Sequence, residues 1–195
     1  METLLPRIAL DPAAGVDMSG AAEVWLEIGF GGGEHLAAQA KRHPGVLFLG
    51  AEPFLNGAAS ALRHIDEAGI ENVRLHIGDA RELLTALPGA SIDRVFILFP
   101  DPWPKARHHK RRLIQDDTVA ELLRVLKPKG RLRFATDWED YADWTLERLT
   151  RTPGLSWTAE RGDDWRVPPA DHVTTRYESK RLGDIDPVFL DFVRT

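Results

Sequence analysis

The sequence predicts an α/β fold in which helices cover both faces of a single, mostly parallel sheet. Two observations predict it. Five short runs rich in Val, Ile, Leu and Phe show little alternation, which is typical of strands buried on both faces. Each run is followed by a helical pattern, and this implies βαβ units whose right-handed crossovers build a doubly wound sheet. The length of 195 residues, with 43% hydrophobic and 28% charged residues, favours one globular domain.

The chain divides into five strand–helix units and a different ending. The predicted strands lie at 24–28, 46–51, 73–79, 94–99 and 131–136, and helical patterns follow at 33–43, 56–69, 80–87, 118–130 and 139–151. Two further strands are predicted at 155–160 and 174–182, with no helix between them, so they are expected to pair antiparallel at the sheet edge. This gives seven strands in a single domain, 1–195, with a core at about 22–183, an N-terminal segment 1–21 and a C-terminal tail 184–195.

The absence of cysteine excludes several classes of chemistry. Without it there is no disulfide, no Cys-ligated zinc, no iron–sulfur cluster and no thiolate nucleophile. No His or carboxylate spacing predicts a metal site. The start of the chain has no apolar run of signal-peptide length, and the longest such run, 95–99, is far shorter than the roughly 20 residues of a membrane span. We therefore expect a cytoplasmic protein with no membrane contact and no obligate protein partner.

A glycine-rich turn follows the first predicted strand. Glu27 precedes glycines at 29, 31 and 33, and such glycines let the backbone approach a ligand closely. The nicotinamide fingerprint G-x-G-x-x-G fails, because its last glycine would fall on Glu34 or Leu36. The carboxylate of Glu34 would also repel a pyrophosphate. The turn therefore favours a ligand that carries a nucleoside and a cation.

Two more acids end the second and third predicted strands. Glu52 can accept both hydroxyls of a ribose, and Asp79, in the motif GDA, can accept an adenine amino group. A single acid at a strand end is more often merely solvated. Three of them on successive strands point into one crevice and are similar to the acids of class I S-adenosylmethionine-dependent methyltransferases, which implies a Rossmann-like sheet and that cofactor.

The loop after the fourth predicted strand reads FPDPWPKARHHKRR, residues 99–112. Its three prolines restrict the backbone and are expected to hold Asp101 and Trp103 in one geometry. Residues 105–112 contain five Lys or Arg and two His. The whole chain has a net charge of −5, which argues against a nucleic-acid partner, but the rest of the chain carries −10 and this segment +5. The charge is concentrated, which favours RNA binding by the loop.

Six segments in order resemble one narrow family, the tRNA (guanine-N7)-methyltransferases: LEIGFGGGEHL, GAEPF, GDA, FPDPWPKARHHKRRL, ATDWEDYA and TTRYESKR, within 26–181. The resemblance implies S-adenosylmethionine as cofactor, tRNA as partner and methylation of a guanine in the variable loop. It implies cofactor positions at Glu27, Gly29, Gly31, Gly33, Glu52, Asp79, Ala80 and Asp101, the last also being catalytic. Substrate positions would be Lys105, Asp137, Thr175, Arg176, Tyr177 and Glu178, and RNA contacts Arg107, His108, His109, Lys110, Arg111 and Arg112.

Methylation of guanine N7 needs no general base, because that nitrogen keeps an in-plane lone pair. The site must position the purine and stabilise it as it becomes cationic, which suits the carboxylates of Asp101 and Asp137. Asp137 could instead cap the following helix. Trp103 could stack on the guanine or pack the loop. A methyltransferase of the same fold acting on a small molecule or a protein, or a noncatalytic RNA-binding module, remains an alternative.

Overall fold

The computed structural model describes residues 4–195, and within them seven strands form one sheet in the order β3-β2-β1-β4-β5-β7-β6. The strands are β1 Glu23–Ile28, β2 Val46–Ala51, β3 Val73–His76, β4 Ile92–Leu98, β5 Leu126–Thr136, β6 Leu155–Trp157 and β7 Val188–Arg194. β1 to β5 run parallel, whereas β7 pairs antiparallel with both β5 and β6. The predicted doubly wound, mostly parallel sheet with an antiparallel ending is confirmed.

Helices cover both faces of this sheet. They are α1 Leu5–Ile8, α2 Glu34–Arg42, α3 Leu55–Glu67, α4 Ala80–Ala86, α5 Asp116–Val125, α6 Glu139–Arg151 and α7 Asp163–Arg166, with 3₁₀ turns at Pro12–Ala14, Ala106–Arg111 and Glu178–Lys180. α2 and α3 pack with Phe48 and Phe96 on one face, and α4, α5 and α6 pack with Leu26 and Val95 on the other. Since side chains alternate along a strand, each central strand supplies both cores. No helix in residues 4–195 is long and apolar enough to span a membrane.

The prediction of a strand at 174–182 is wrong. The last strand is β7, Val188–Arg194, so the sheet continues beyond residue 183 into the segment expected to be a tail. Residues 174–182 contain a 3₁₀ turn because Thr175 and Glu178 cap each other: the Glu178 amide donates to Thr175 Oγ1 at 3.2 Å, and Glu178 Oε2 accepts from the Thr175 amide at 3.4 Å. β7 instead supplies apolar side chains to both cores.

A long connection between α7 and β7 lies across the sheet face that carries α2. Asp171 on this connection pairs with Arg94 of β4 at 2.7 Å and with Arg133 of β5 at 2.6 Å, and Arg133 also pairs with Asp191 of β7 at 2.7 Å. Burial by itself raises the pKa of Asp171, but the hydrogen bond and charge of Arg133, together with Arg94, lower it to about 2. These ion pairs fasten the connection to the strands that end at the site.

Candidate active site

The glycine turn lies between β1 and α2, at the carboxyl edge of the sheet. Gly29, Gly31 and Gly33 have φ of 73°, 49° and 79°, the left-handed region that glycine adopts without steric cost. A Cβ at Gly29 or Gly31 would meet nothing within 4 Å, so the turn borders open space. At Gly33 a Cβ would lie 2.5 Å from that of Ala61, so this glycine lets α2 and α3 approach. The turn therefore has both the backbone conformation and the free volume that a ligand needs.

Glu27 is buried beside this turn, with 3% of its surface exposed. Its Oε2 lies 2.7 Å from His35 Nδ1, and Gln39 Nε2 lies 3.2 Å from His35 Nε2 while donating to the Asp171 carbonyl at 2.7 Å. Because an amide nitrogen only donates, His35 Nε2 must accept, and the ring proton sits on Nδ1 and is donated to Glu27. A neutral His35 thus orients the carboxylate and leaves its charge available for a cation.

Glu52 and Asp79 follow β2 and β3, so they share one sheet edge with Glu27. Glu52 is 5% exposed and accepts from the amides of Gly31 at 2.9 Å and Phe54 at 3.0 Å, which ties the glycine turn to the start of α3. Asp79 is half exposed and caps α4 by accepting from the Arg81 amide at 2.9 Å. Ala80, the first residue of α4, is buried. The structure therefore brings the predicted cofactor acids together, two buried and one open to solvent.

Asp101 lies exposed in the loop after β4. Phe99 and Trp103, on either side of it, have φ of 51° and 44°, which is strained for residues with a Cβ. Such strain costs about 1–3 kcal/mol for each residue and persists only where the surroundings hold the chain. The backbone around Asp101 is thus fixed in a conformation that an unconstrained loop would leave.

Asp137 lies at the end of β5 and is 4% exposed. Its Oδ2 accepts from the Gly183 amide at 2.9 Å, and its carbonyl accepts from the amides of Asp184 and Ile185 at 2.9 and 3.1 Å. Its Oδ1 is buried and has no hydrogen-bond partner within residues 4–195. Asp137 does not cap α6, because the Glu139 amide donates to Asp184 Oδ1 instead. One carboxylate oxygen of Asp137 is therefore free to accept a hydrogen bond.

The prediction of an RNA contact has to be corrected for Arg112, which is 1% exposed. Its Nε donates to the Pro102 carbonyl at 2.9 Å, and its Nη2 pairs with Asp140 of α6 at 2.5 Å. Its guanidinium also lies 4.9 Å from the Tyr141 ring and 5.0 Å from the Trp144 ring. Arg112 therefore fastens the Asp101 loop to α6. Sequence reasoning missed this role because Arg112 ends a run of basic residues that are otherwise exposed or half-buried.

The rest of the basic loop reaches solvent. Its exposed cations are Lys105, Arg107, Lys110 and Arg111, whereas His108 and His109 are half-buried. The ring of Trp103 lies 5.8 Å from that of His108 and 4.9 Å from the Arg111 guanidinium. His109 Nε2 lies 3.3 Å from Asp140. Trp103 thus has contacts within the loop, which is one of the two roles considered for it.

The four residues at 175–178 have different surroundings in the structure. Tyr177 has its ring 6.0 Å from that of Phe99. Burial raises the pKa of Tyr177, the negative charges of Asp137 and Asp101 raise it further, and a hydrogen bond with Trp138 lowers it. Glu178 Oε2 lies 2.8 Å from His172 Nε2, and Thr175 caps the same turn, so these two side chains organise the segment. Arg176 is exposed.

The family follows from comparison with known proteins. A family model described as "Putative methyltransferase" matches residues 21–189. The tRNA (guanine-N(7)-)-methyltransferase of Caulobacter sp. (strain K31) is 61% identical over 197 residues, which cover 100% of this chain and 87% of the relative. The chain belongs to the tRNA (guanine-N7)-methyltransferase family. The member from Nitrobacter hamburgensis (strain DSM 10229 / NCIMB 13809 / X14) is 50% identical, with 92% of this chain and 73% of the relative covered.

Solved structures support the fold of this member of the tRNA (guanine-N7)-methyltransferase family. The 16S rRNA methyltransferase KamB superposes with a TM-score of 0.65 at 17% identity, covering 91% of this chain and 90% of that one. The 16S rRNA (adenine(1408)-N(1))-methyltransferase from Catenulisporales acidiphilia gives 0.64 at 20%, covering 95% and 94%. A variant of that enzyme has been solved with its cosubstrate SAM. At these identities the likeness shows a class I methyltransferase fold.

Several residues of this family member went unnoticed in the sequence. His35 and Gln39 orient Glu27, and Asp140 holds Arg112. His35 and Gln39 lie four apart on a helix that follows the glycine turn, and this spacing could have indicated one helix face. No local signal identifies Asp140. Within residues 4–195 no group of three or more His or carboxylate side chains could hold a metal ion.

Proposed function

We propose that this protein transfers the methyl group of S-adenosyl-L-methionine to N7 of a guanine in the tRNA variable loop, guanine-46, and so forms 7-methylguanosine. Family membership supplies the reaction. The observation of the structure that carries the assignment is a row of acids at the carboxyl edge of the sheet, here called the acidic edge, which runs from Asp79 through Glu27 and Asp101 to Asp137 beside a loop of exposed cations. Such an edge suits a cationic cofactor and a purine that becomes cationic, while the loop suits RNA phosphates.

The cofactor would lie along the first half of this edge. Its sulfonium supplies an activated methyl group. Glu27 would bind the methionyl amine, because its carboxylate is buried and its His35 partner is neutral. The open space over Gly29 and Gly31 would take the methionyl chain. Glu52 would accept the ribose hydroxyls, since each of its oxygens accepts one amide and keeps a second lone pair. Asp79 and Ala80 would contact the adenine.

The second half of the edge would hold the guanine. Asp101 would accept the N1–H and N2–H groups of the base and stabilise the positive charge that develops as N7 is methylated. The free Oδ1 of Asp137 would support it. Tyr177, whose ring packs 6.0 Å from that of Phe99 at the start of the Asp101 loop, would close one side of the site. Lys105 would contact the nucleotide from the loop. No residue need remove a proton before attack, so position and charge account for the catalysis we assign to this site.

The exposed part of the basic loop would bind the tRNA backbone. We assign this contact to Arg107, Lys110 and Arg111, with His108 and His109 as polar neighbours. Arg112 is left out because it is buried. We also infer that the chain acts as one domain, because its strands share one sheet, and that it acts in the cytoplasm without an obligate protein partner.

The proposed function is tested by supplying the purified protein with methyl-labelled S-adenosylmethionine and unmodified tRNA. Digestion of the product should release the label as 7-methylguanosine. A matched tRNA with adenine in place of guanine-46 should remain unlabelled. Label in another nucleoside, equal label in both tRNAs, or no label at all would contradict the proposal.

A further inference from the structure

We propose that Arg176, Lys180 and Arg181, here called the second basic segment, bind tRNA phosphates on the side of the site opposite the basic loop. This inference rests on the proposed function, because it concerns how the same tRNA is held. It assigns to this segment a role beyond the substrate positions at 175–178. The site would then lie between two positively charged surfaces, the basic loop and the second basic segment.

Two contacts fix where the second basic segment lies. At its start, Tyr177 packs 6.0 Å from Phe99, the residue that opens the Asp101 loop. At its end, the Gly183 amide donates to Asp137 Oδ2 at 2.9 Å, and a Cβ on Gly183 would collide with Asp137. Two residues span at most about 7 Å of chain, so Arg181 begins within that distance of Gly183. The segment therefore lies beside Asp137 and beside the residue that opens the Asp101 loop.

The positive charges of this segment face solvent, whereas its acid does not. Arg176, Lys180 and Arg181 are exposed, and none has an ion-pair partner among the residues that the structure describes. Glu178, in the middle of the segment, is directed to His172 at 2.8 Å with 12% of its side chain exposed. The next carboxylate along the chain, Asp184, accepts from the Glu139 amide. The outer surface of the segment thus presents three cations.

Hydrogen bonds within the segment hold its backbone in one conformation. The reciprocal cap between Thr175 and Glu178 fixes its first turn, and Arg181 closes the 3₁₀ turn in the left-handed conformation, with φ of 47°. A surface that is already ordered loses little conformational entropy when it binds. The second basic segment is therefore suited to bind a rigid partner such as a folded tRNA.

The acidic edge gives the physical reason for cations on both sides. Asp101, Asp137 and Asp79 attract the cofactor and the methylated purine, but they repel the phosphates that flank the target nucleotide. The electrostatic potential over a surface is the sum of the contributions of its charges. Cations on one side alone would therefore leave the RNA strand repelled where it crosses the carboxylates. The basic loop supplies the cations on one side, and the second basic segment supplies those on the other.

The test is the salt dependence of tRNA binding by the double variant Lys180→Gln/Arg181→Gln. Each phosphate contact adds about 0.7–0.9 to the magnitude of the slope of log K against log salt concentration. Loss of two contacts should therefore reduce that magnitude by about 1.4–1.8, weaken binding at low salt and raise KM for tRNA. The charge-retaining variant Lys180→Arg/Arg181→Lys should keep the wild-type slope. The affinity for S-adenosylmethionine reports whether each variant is folded.

Lys129→Gln/Arg131→Gln is the matched control. Both residues are exposed near the other end of β5, roughly 20 Å from Asp137 along the strand. This variant loses the same charge and should bind tRNA with the wild-type slope. An unchanged slope in the Lys180→Gln/Arg181→Gln variant, or an equal reduction of the slope in the control, would show that the second basic segment does not bind tRNA phosphates. In that case, formation of 7-methylguanosine by the wild type would leave the proposed function intact. Wild-type protein that forms no 7-methylguanosine would overturn both.

Discussion

The two halves of the acidic edge are built by different means. In the cofactor half, the partners lie close in sequence: Glu27 and His35 are 8 residues apart, Glu52 and Gly31 are 21 apart, and Asp79 caps its own helix. In the substrate half, Arg112 and Asp140 are 28 residues apart, and Asp137 and Gly183 are 46 apart. The first half is held mainly by contacts within or between successive strand–helix units, with one distant contact from Gln39 to the Asp171 carbonyl, whereas the second depends on contacts between distant segments. Distant substitutions should therefore impair the methylation step more than cofactor binding.

The sharpest separation of the two halves is expected from Asp101→Ala. It removes the carboxylate that would stabilise the cationic purine, so turnover should fall by at least about 100-fold, the scale of losing one electrostatic group in a site. Affinity for S-adenosylmethionine should change by only a few-fold. Single-turnover methylation of tRNA and isothermal titration with the cofactor measure the two effects. Near-normal turnover would remove Asp101 from its assigned role.

Glu27→Gln should act on the other half. If this buried carboxylate pairs with the methionyl amine as proposed, removing its charge should cost about 2–3 kcal/mol, or roughly 30–150-fold in affinity for S-adenosylmethionine. Binding of tRNA without cofactor should be unchanged, which a filter-binding titration can measure. Wild-type cofactor affinity in this variant would mean that Glu27 does not bind the amine.

Arg112→Lys tests the long-range attachment of the Asp101 loop. Lysine keeps the positive charge but cannot donate to Pro102 and Asp140 in the fixed geometry of a guanidinium, nor stack as well on Tyr141 and Trp144. We expect kcat to fall about 10-fold with little change in cofactor affinity. Arg131→Lys, an exposed residue of β5 outside the site, is the control and should keep kcat near wild type. Equal kcat values in the two variants would show that the attachment does not position Asp101.

The smallest expected effect concerns Asp171, which ties the connection before β7 to Arg94 and Arg133. Its pKa in the folded protein is lowered to about 2 from 3.8. Its contribution to stability is therefore present above pH 4 and is lost as the pH falls from about 4 to 2. Allowing for its partial exposure, we expect Asp171→Asn to lower the free energy of unfolding by about 1–2 kcal/mol at pH 7.

Urea unfolding of the wild type and Asp171→Asn from pH 7 down to pH 3 measures this contribution. The two stabilities should converge on acidification, because protonation removes from the wild type what the substitution has already removed. A constant difference over that range would assign the loss to packing rather than to the charge of Asp171.

The five strand–helix units, the glycine turn and the order of the acids along the edge can be predicted from the sequence alone. These features depend on short-range properties: apolar strands buried on both faces, helical periodicity, and glycines at positive φ. Their residues lie within single βα units, so no distant partner is needed to recognise them. This is why the position of these acids at one edge of the sheet could be predicted.

Which polar segments are buried depends on contacts that form only in the tertiary structure. The alternation in 174–182 suits an exposed strand, yet the Thr175–Glu178 cap makes it a turn, and β7 takes the place in the sheet. Arg112 looks like its basic neighbours until Asp140 and two aromatic rings bury it. Burying a charge is favourable only where a partner compensates for lost hydration. When that partner lies tens of residues away, the outcome depends on packing that no local pattern records.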